Sequence, residues 1–178
     1  MKIKYIITLL LFPFFVLSVS AQKSTCIIVS KEEMQMSVYN GEGTEMLKFP
    51  IACGKNYGQK LRAGDKRTPE GIFKVVGKEA SSAWTHDFGN GPVRGAYGPL
   101  FIRLNTPGFK GIGIHGTHDE RTVPGRETLG CIRMKNRDLL ELAKVIDEKT
   151  LVIILPSRDD VLAALSQKQI GNGKLFIY

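Results

Sequence analysis

Cysteine and histidine are both scarce in this chain, with three of each among 178 residues. The chain carries an export signal, described below, and an odd number of cysteines in an exported chain leaves at least one thiol unpaired or paired between chains. Cys26 and Cys53 both fall in predicted strands, so they either pair with each other or lie in the core as small apolar residues. In both cases Cys131 is the cysteine whose neighbouring residues suggest a chemical role.

A nucleic-acid-binding motif is absent, and so is any basic patch interleaved with aromatic residues. The formal net charge is +8, and the 23 basic and 17 acidic side chains that follow residue 21 still leave +6. This charge favours anionic surfaces in general, and an acidic polymer such as a cell wall fits it as well as any other. Without a supporting motif, we do not expect nucleic acid as a partner.

The sequence also lacks repeats, low-complexity tracts and a second domain boundary. The 157 residues that follow position 21 are enough for one domain with a sizeable core. We therefore expect a single domain over residues 22–178.

Long apolar runs are restricted to the start of the chain. Residues 1–21, MKIKYIITLLLFPFFVLSVSA, combine two lysines, an apolar run from Tyr5 to Val16 and a small-residue end at Val19-Ser20-Ala21. This pattern is typical of a secretory signal peptide. The alternative, a transmembrane anchor, needs about 20 apolar residues, whereas this run is shorter and contains Pro13. No cysteine follows the small residues, so the pattern is not that of a lipoprotein signal. We expect cleavage after residue 21, export to the periplasm or cell-wall face, and no stable membrane anchor.

Hydrophobic periodicity predicts many strands. Alternation at Met34, Met36 and Val38, followed by the turn signal Asn40-Gly41, predicts a hairpin near the start of the exported chain. Residues 77–98 contain five glycines and are expected to form one long connection, as functional lids and binding loops do. Apolar runs of strand length occupy residues 26–29, 46–52, 72–76, 100–104, 111–114, 151–155 and 174–178.

Helical spacing appears only late in the chain. Apolar residues between Leu139 and Ile146 recur at helical intervals, with Asn136 as the expected N-cap. Ser157 and Asp160 resemble a capping box for a second helix. Many strands followed by two helices predict a mostly β, α+β or β-sandwich-type domain and argue against a doubly wound sheet.

The chemistry concentrates in GIGIHGTHDERTVPGRETLGCIRM, residues 111–134. A cysteine nucleophile needs a base or cation, donors for an oxyanion and access to solvent. His115 is the candidate base, and the Gly116 carbonyl can fix its tautomer. Gly130 permits a sharp turn and a close approach of the backbone to a substrate, so the amides of Gly130 and Cys131 are the candidate oxyanion donors.

Arg133, two residues after the cysteine on a strand, points the same way as Cys131 and can hold a substrate carboxylate by two hydrogen bonds.

Simpler interpretations remain: a lone cysteine is usually a core residue, and a lone histidine is usually a structural one. Trp84 and Tyr97 line a groove or anchor a loop, and His86 has no assigned role. A zinc site is a third interpretation, but glycines flank His115, so no helix face presents ligands and no metal is expected. Its ligands would come from His115, His118, Asp119, Glu120 and Cys131.

The chain resembles the catalytic domain of YkuD-type L,D-transpeptidases over roughly residues 25–155. That family carries His-Gly, then a loop, then Ser/Thr-x-Gly-Cys with an apolar residue and often Arg or Asn. Here these elements are His115-Gly116, eleven connecting residues and Thr128-Leu129-Gly130-Cys131-Ile132-Arg133. Thr68-Pro69-Glu70-Gly71-Ile72-Phe73 and Tyr97-Gly98 match two further elements of the family.

The resemblance implies a fold and a reaction. It implies a peptidoglycan L,D-transpeptidase in which Cys131 attacks a tetrapeptide stem, releases the terminal D-alanine and forms a 3-3 cross-link through a thioester. It gives His115 the acid–base role and places Arg133, Thr128 and Tyr97 at the substrate. No cofactor is implied, and the partners are peptidoglycan stem peptides.

Several alternatives stay open on the sequence. The same nucleophile with water as acceptor gives L,D-carboxypeptidase activity, and with a free D-amino acid it gives exchange. A non-catalytic wall-binding module and a zinc hydrolase are readings from other classes. Leu129 stands where many family members carry histidine, which bears on substrate detail and rate, and residues 156–178 lie outside the matched pattern.

Overall fold

The computed structural model describes residues 25–170, with side chains up to residue 166. The expected signal peptide and the strand expected at Lys174–Tyr178 lie outside these residues. Neither of the two α-helices between residues 25 and 170 is long and apolar enough to cross a membrane. The strands are β1 (Cys26–Ser30), β2 (Gln35–Tyr39), β3 (Glu45–Pro50), β4 (Ala52–Gly54), β5 (Gly71–Ala80), β6 (Thr85–Asp87), β7 (Pro92–Arg94), β8 (Leu100–Asn105), β9 (Gly113–His115), β10 (Gly125–Thr128), β11 (Ile132–Arg133) and β12 (Leu151–Leu155); the helices are α1 (Asn136–Val145), α2 (Arg158–Ile170) and a 3₁₀ turn at Glu120–Thr122.

Ten of these strands form one sheet in the order β10-β4-β11-β9-β8-β5-β12-β1-β2-β3, and β6 pairs with β7 in a separate hairpin. Strand β3 ends at Pro50 at one edge, while β4 begins at Ala52 next to the opposite edge. One residue, Ile51, joins them, so the sheet must curl until its two ends meet. The Ile51 amide donates to Met34 O at 2.9 Å, and its carbonyl accepts from Gly125 N at 3.3 Å, which ties both ends together.

The curled sheet encloses the core. Because side chains alternate along each strand, the strands of this sheet direct one set of side chains into the interior. Helix α1 adds Leu139 and Leu142, which are fully buried against β8 and β9. The fold is thus mostly β with two helices, as the order of sequence signals predicted. The strand residues of the core include Ile27, Val29, Met36, Val38, Ile102, Leu104, Ile114, Ile132, Val152 and Ile154.

A buried ion network fixes the start of α2. The capping box is confirmed, since Ser157 N donates to Asp160 Oδ2 at 2.8 Å and Asp160 N donates to Ser157 Oγ at 3.1 Å. The same carboxylate pairs with Lys31 at 3.1 Å and Arg126 at 2.9 Å. Burial raises the pKa of Asp160, but hydrogen bonds from Ser157 and Gly58 and the charge of Lys31 outweigh it and hold that pKa well below its usual range.

Two expectations of local structure were wrong. Residues 77–98 are not one long connection, because β5 continues to Ala80 and the glycines accommodate the hairpin of β6 and β7. Asn136 is not the N-cap of α1: Lys135 holds that position without a side-chain bond, and Asn136 is the first helical residue. The asparagine side chain contacts the segment after His115 instead.

Candidate active site

Two neighbouring strands, β9 and β11, and the turn before β11 carry the candidate site residues on the face that points away from the core. The register pairs His115 on β9 with Phe101 on antiparallel β8 and with Arg133 on parallel β11. Alternation sends the intervening Ile114 and Ile132 into the core. Cys131 immediately precedes β11 and, by the same alternation, lies on the side of Arg133. Strand periodicity therefore brings histidine, cysteine and arginine to one surface.

This surface is the floor of a cleft of about 860 Å³. Aromatic and cationic side chains dominate its walls. The cleft is the natural binding site for an anionic, partly apolar molecule, because it joins cations to ring surfaces. Its lining includes Lys60, Trp84, His86, Phe88, Tyr97, Phe101, Arg103, Phe109, Lys110, His115, Thr128, Leu129, Cys131 and Arg133.

His115 is buried, with 3% of its surface exposed, and its orientation is fixed. Its Nδ1 lies 2.6 Å from Gly116 O, and since a carbonyl can only accept, Nδ1 carries the proton and Nε2 is left as the acceptor. The ring stacks on Phe101 with 5.7 Å between centroids and meets the edge of Tyr97 at 5.0 Å. Burial lowers the pKa of His115 from 6.5 to about 4, against the raising effect of the Gly116 carbonyl. The imidazole is therefore a neutral base at physiological pH.

Cys131 lies in the turn between β10 and β11, partly exposed to the cleft. Its thiol donates to Gly111 O at 3.3 Å rather than to His115. Burial raises the pKa of the thiol, and the backbone of Gly113 and the charges of Lys60, Arg133 and Arg103 oppose that rise. Cys131 in this state is protonated. Cys26 and Cys53 are also free thiols, so the disulfide that the sequence left open is not formed, and Cys53 is a buried core residue.

Thr128 and Gly130 shape the turn that presents the thiol. Thr128 Oγ1 donates to Cys131 O at 2.6 Å and accepts from Gly130 N at 3.1 Å. Gly130 has φ +137°, and a Cβ there would come within 2.9 Å of Arg67 O, so glycine is required. One expectation changes as a result: the Gly130 amide is already engaged and is not free for an oxyanion. The Cys131 amide is the remaining candidate.

Arg133 is buried in the cleft that His115 and Cys131 also line. Its Nη1 donates to Thr122 Oγ1 at 2.9 Å, while its buried Nε has no hydrogen-bond partner among residues 25–170. Burial lowers the pKa of the guanidinium. A buried cationic donor without a partner is costly, and an anionic ligand in the cleft would satisfy it.

Tyr97 lies against His115 and connects it to the β6–β7 hairpin. Its hydroxyl is 3.1 Å from His86 Nδ1, and Trp84 meets its ring edge-on at 5.9 Å. Burial raises the pKa of Tyr97. Tyr97 and Trp84 thus lie in the cleft. His86, for which the sequence predicted no role, contacts Tyr97, and Tyr97 in turn contacts the candidate base His115.

Asn136 also belongs to this site, although no motif in the sequence indicates it. Asn136 Nδ2 donates to Thr117 O at 2.9 Å, and Thr117 N donates to Asn136 Oδ1 at 2.8 Å. A Cβ at Gly116 or at Gly98 would overlap Asn136 Oδ1. These two glycines make room for the asparagine, which fixes the segment whose carbonyl orients His115. The signal available in the sequence was the pair of glycines, one beside Tyr97 and one beside His115.

The zinc interpretation finds no ligand set in this part of the chain. Among residues 25–170, no three His, Cys, Asp or Glu side chains come together in a way that could hold a metal ion. Asp119 instead pairs with Arg121 at 2.8 Å, and Glu120 accepts from Asn136 N at 2.9 Å.

Residues 24–154 match the sequence model of the YkuD family, described as L,D-transpeptidase catalytic domain. The YkuD protein of Bacillus licheniformis, provisionally named an L,D-transpeptidase, is 32% identical over 108 residues, which is 61% of this chain and 52% of that protein. The chain therefore spans about half the length of this curated relative.

Solved structures share the fold. The helical cell shape determining protein Pgp2 of Campylobacter jejuni aligns with a TM-score of 0.60 and 21% identity, covering 84% of this chain and 57% of that one. The catalytic domain of the E. faecium L,D-transpeptidase aligns with a TM-score of 0.55 and 23% identity, covering 76% of this chain and 99% of that one. At these identities the likeness concerns the fold.

Proposed function

Since the chain belongs to the YkuD family of L,D-transpeptidase catalytic domains, we propose that it is a cysteine acyltransferase that cross-links peptidoglycan stem peptides. The donor is a tetrapeptide stem, the leaving group is its terminal D-alanine, and the product is a 3-3 cross-link. The enzyme works outside the cytoplasm, in the periplasm or at the cell-wall face, on the strength of the signal peptide expected at residues 1–21.

One observation carries the proposal. Cys131 and His115 lie on the same face of adjacent strands in one cleft, with the Nε2 acceptor of His115 fixed by the 2.6 Å contact of Nδ1 with Gly116 O. A nucleophile and a base oriented by a third group are the arrangement that covalent catalysis requires.

In the first half of the reaction, His115 Nε2 takes the thiol proton as Cys131 Sγ attacks the carbonyl between the third residue and D-alanine. Charge develops on the carbonyl oxygen, and the Cys131 amide is the donor that meets it. The C–N bond then breaks, His115 returns the proton to the departing amine, and a thioester remains on Cys131. One imidazole serves as base and then as acid.

In the second half, the side-chain amine of a neighbouring stem attacks the thioester. His115 takes the proton of that amine and gives it to Cys131 as the C–S bond breaks. A new amide joins the two stems, and the enzyme returns to its starting state. Water as the acceptor would release a tripeptide instead.

Recognition of the stem is assigned to the cations and rings of the cleft. The buried Nε of Arg133 is the site for a stem carboxylate, because it has no partner among the described residues. Tyr97 packs on His115 and borders the scissile bond. Thr128 acts through the backbone turn that presents Cys131.

The test is mass spectrometry of the purified protein mixed with a disaccharide tetrapeptide, with both the muropeptides and the intact protein weighed. Cys131→Ala is the test variant. Cys26→Ala is the matched control, because it removes another partly exposed thiol, on β1, that does not line the cleft.

We expect loss of alanine, cross-linked dimers and an acyl adduct on the protein, all absent in Cys131→Ala and present in Cys26→Ala. Tripeptide without dimers would show that the protein is a carboxypeptidase rather than a transpeptidase. Turnover that survives in Cys131→Ala would refute the assignment of Cys131 as the nucleophile. No change in any stem peptide would favour a wall-binding module.

A further inference from the structure

Lys60 is a buried lysine in the wall of the catalytic cleft. It lies in the loop between β4 and β5, and 6% of its surface is exposed. Lysine is rarely buried to this extent unless its charge is paired or used. Its ammonium pairs with Asp65 Oδ1 at 2.8 Å and lies 5.4 Å from the centre of the Phe109 ring.

The loop is built to hold this ammonium in place. The Asp65 carboxylate also accepts backbone N–H bonds from Leu61, Arg62 and Arg67, so its position is fixed by the chain around it. Burial raises the pKa of Asp65, but these bonds and the one from Lys60 outweigh it and bring that pKa to about 2. Asp65 is therefore ionised at physiological pH, and Lys60 has a fixed anionic partner.

The ammonium is directed at the turn that carries the nucleophile. A Cβ on Gly130 would lie 3.6 Å from Lys60 Nζ, and Gly130 immediately precedes Cys131. The ammonium therefore lies close to the turn that presents the thiol, and Lys60 and Cys131 line the same cleft.

The other charged and titratable groups around the thiol are differently engaged. Arg103 is held by Glu79 through two hydrogen bonds, at 2.6 and 3.0 Å, and is partly exposed. Arg133 is bound to Thr122 and is assigned above to a substrate carboxylate. His115 is neutral and Tyr97 is an uncharged phenol at physiological pH. The groups that face Cys131 are thus Lys60 from the β4–β5 loop, Tyr97 and Arg103 from in and beside β8, His115 from β9 and Arg133 from β11.

We propose that Lys60 is the cation against which the negative charge of Cys131 forms, so that it promotes ionisation of the thiol without taking part in proton transfer. A cation near an ionising group favours the charged form, and its effect is larger where burial keeps the charges from being fully solvated. The consequence for turnover rests on the proposed function, but the effect on the thiol itself does not.

The experiment measures the rate at which iodoacetamide alkylates Cys131 across a range of pH, read in the tryptic peptide of residues 127–133, which contains no other cysteine. Thiolate is the reacting form, so the midpoint of the profile reports its ionisation. The variants are Lys60→Met, Lys60→Arg and Asp65→Asn. Lys55→Met is the matched control, since it removes a half-exposed lysine of the same loop that pairs with Glu127 at 3.9 Å.

Lys60→Met is expected to move the midpoint to higher pH by about one pH unit, which slows alkylation about tenfold below the midpoint. Lys60→Arg and Lys55→Met leave it unchanged. Asp65→Asn removes the competing anion and moves the midpoint to lower pH. These opposite signs separate a charge effect from a structural one, because a loop that merely collapses shifts both variants in the same direction.

A wild-type profile in Lys60→Met, or equal shifts in Lys60→Met and Asp65→Asn, would overturn the inference. If Lys60→Met fails to fold, Asp65→Asn decides, since an unshifted midpoint there also overturns it. Alkylation needs no peptidoglycan. A shifted profile with no muropeptide turnover would reject the proposed function alone, and an unshifted profile with normal turnover would reject the role of Lys60 alone.

Discussion

Replacing Asn136 with alanine tests whether the candidate base depends on a clamp outside the motif. The asparagine makes two hydrogen bonds with the backbone of Thr117, at 2.8 and 2.9 Å, and Thr117 is 1% exposed. Each neutral bond contributes about 1 kcal/mol, and a backbone group left without a partner in a buried place costs about 1 kcal/mol or more. We therefore expect Asn136→Ala to lower the free energy of unfolding by about 2–4 kcal/mol.

The same substitution should impair catalysis. Thr117 follows Gly116, whose carbonyl fixes the orientation of His115. When the clamp is removed, Gly116 O can move, and a catalytic group displaced by about 1 Å can cost about 100-fold in rate. We expect turnover of the tetrapeptide to fall about 10- to 100-fold under conditions in which the variant is folded.

The measurements are urea unfolding and initial rates, with Arg137→Ala as the control. Arg137 is the next residue of α1, its side chain is 87% exposed, and it makes one surface pair with Glu141 at 3.6 Å. Such a pair contributes about 0.5 kcal/mol at most. If Asn136→Ala unfolds like Arg137→Ala, or folds less stably but turns over at the wild-type rate, the clamp does not position the base.

Two further predictions concern the same strands. Burial lowers the pKa of His115 to about 4 from 6.5, so folding favours the neutral ring. The contribution of the neutral ring to the free energy of unfolding is complete above pH 6.5 and is lost as pH falls from 6.5 towards 4. His115→Gln should therefore flatten the pH dependence of the free energy of unfolding across that window, and an unchanged slope would contradict the shift. A Cβ at Gly113 would overlap the Phe101 ring and approach Ile102 O to 2.5 Å. Gly113→Ala should therefore lower both the melting temperature and turnover by displacing the ring that stacks on His115. Gly77→Ala is the control, because a Cβ there meets open space and should change neither property; equal behaviour of the two variants would refute this prediction.

Short alternating apolar runs and the Ser157–Asp160 capping box were reliable guides to local structure. Alternation predicted the β2–β3 hairpin, and the Ser157–Asp160 pair predicted the start of α2. These signals are local, since a strand of five or six residues or a helix cap contains its own periodicity or chemistry. The side shared by Cys131 and Arg133 followed from the same rule, because two residues separated by one core residue point the same way.

What escaped prediction is non-local or too short to show a period. The curl of the sheet depends on Ile51 bonding both to Met34 and to Gly125, which are far apart in the chain. Strand β11 has two residues and β4 has three, so neither shows alternation. Asn136 carried an ordinary N-cap signal, and its clamp is visible only once Gly98 and Gly116 are brought beneath it.

The pKa shifts of the candidate base and nucleophile favour the same neutral state before substrate binds. Burial lowers the pKa of His115 and raises that of Cys131, so both favour imidazole and thiol over imidazolium and thiolate. A neutral pair costs less to bury than an ion pair. It is also less reactive, because the thiolate is the nucleophile. Proton transfer is then favourable only when charge passes onward to a bound carbonyl.

That coupling explains why the cleft is lined with cations. Neither member of the neutral pair supplies charge stabilisation beforehand, so the groups that meet the developing negative charge must already be in place. Lys60 is fixed by Asp65, Arg103 by Glu79, and Arg133 by Thr122. Their positive charge lies at the cleft before any substrate arrives. Under the proposed function it attracts an anionic stem peptide and stabilises the negative charge that forms on Cys131 Sγ when the thiol loses its proton. Under the two proposals, Arg133 recognises the substrate and Lys60 promotes ionisation of the nucleophile.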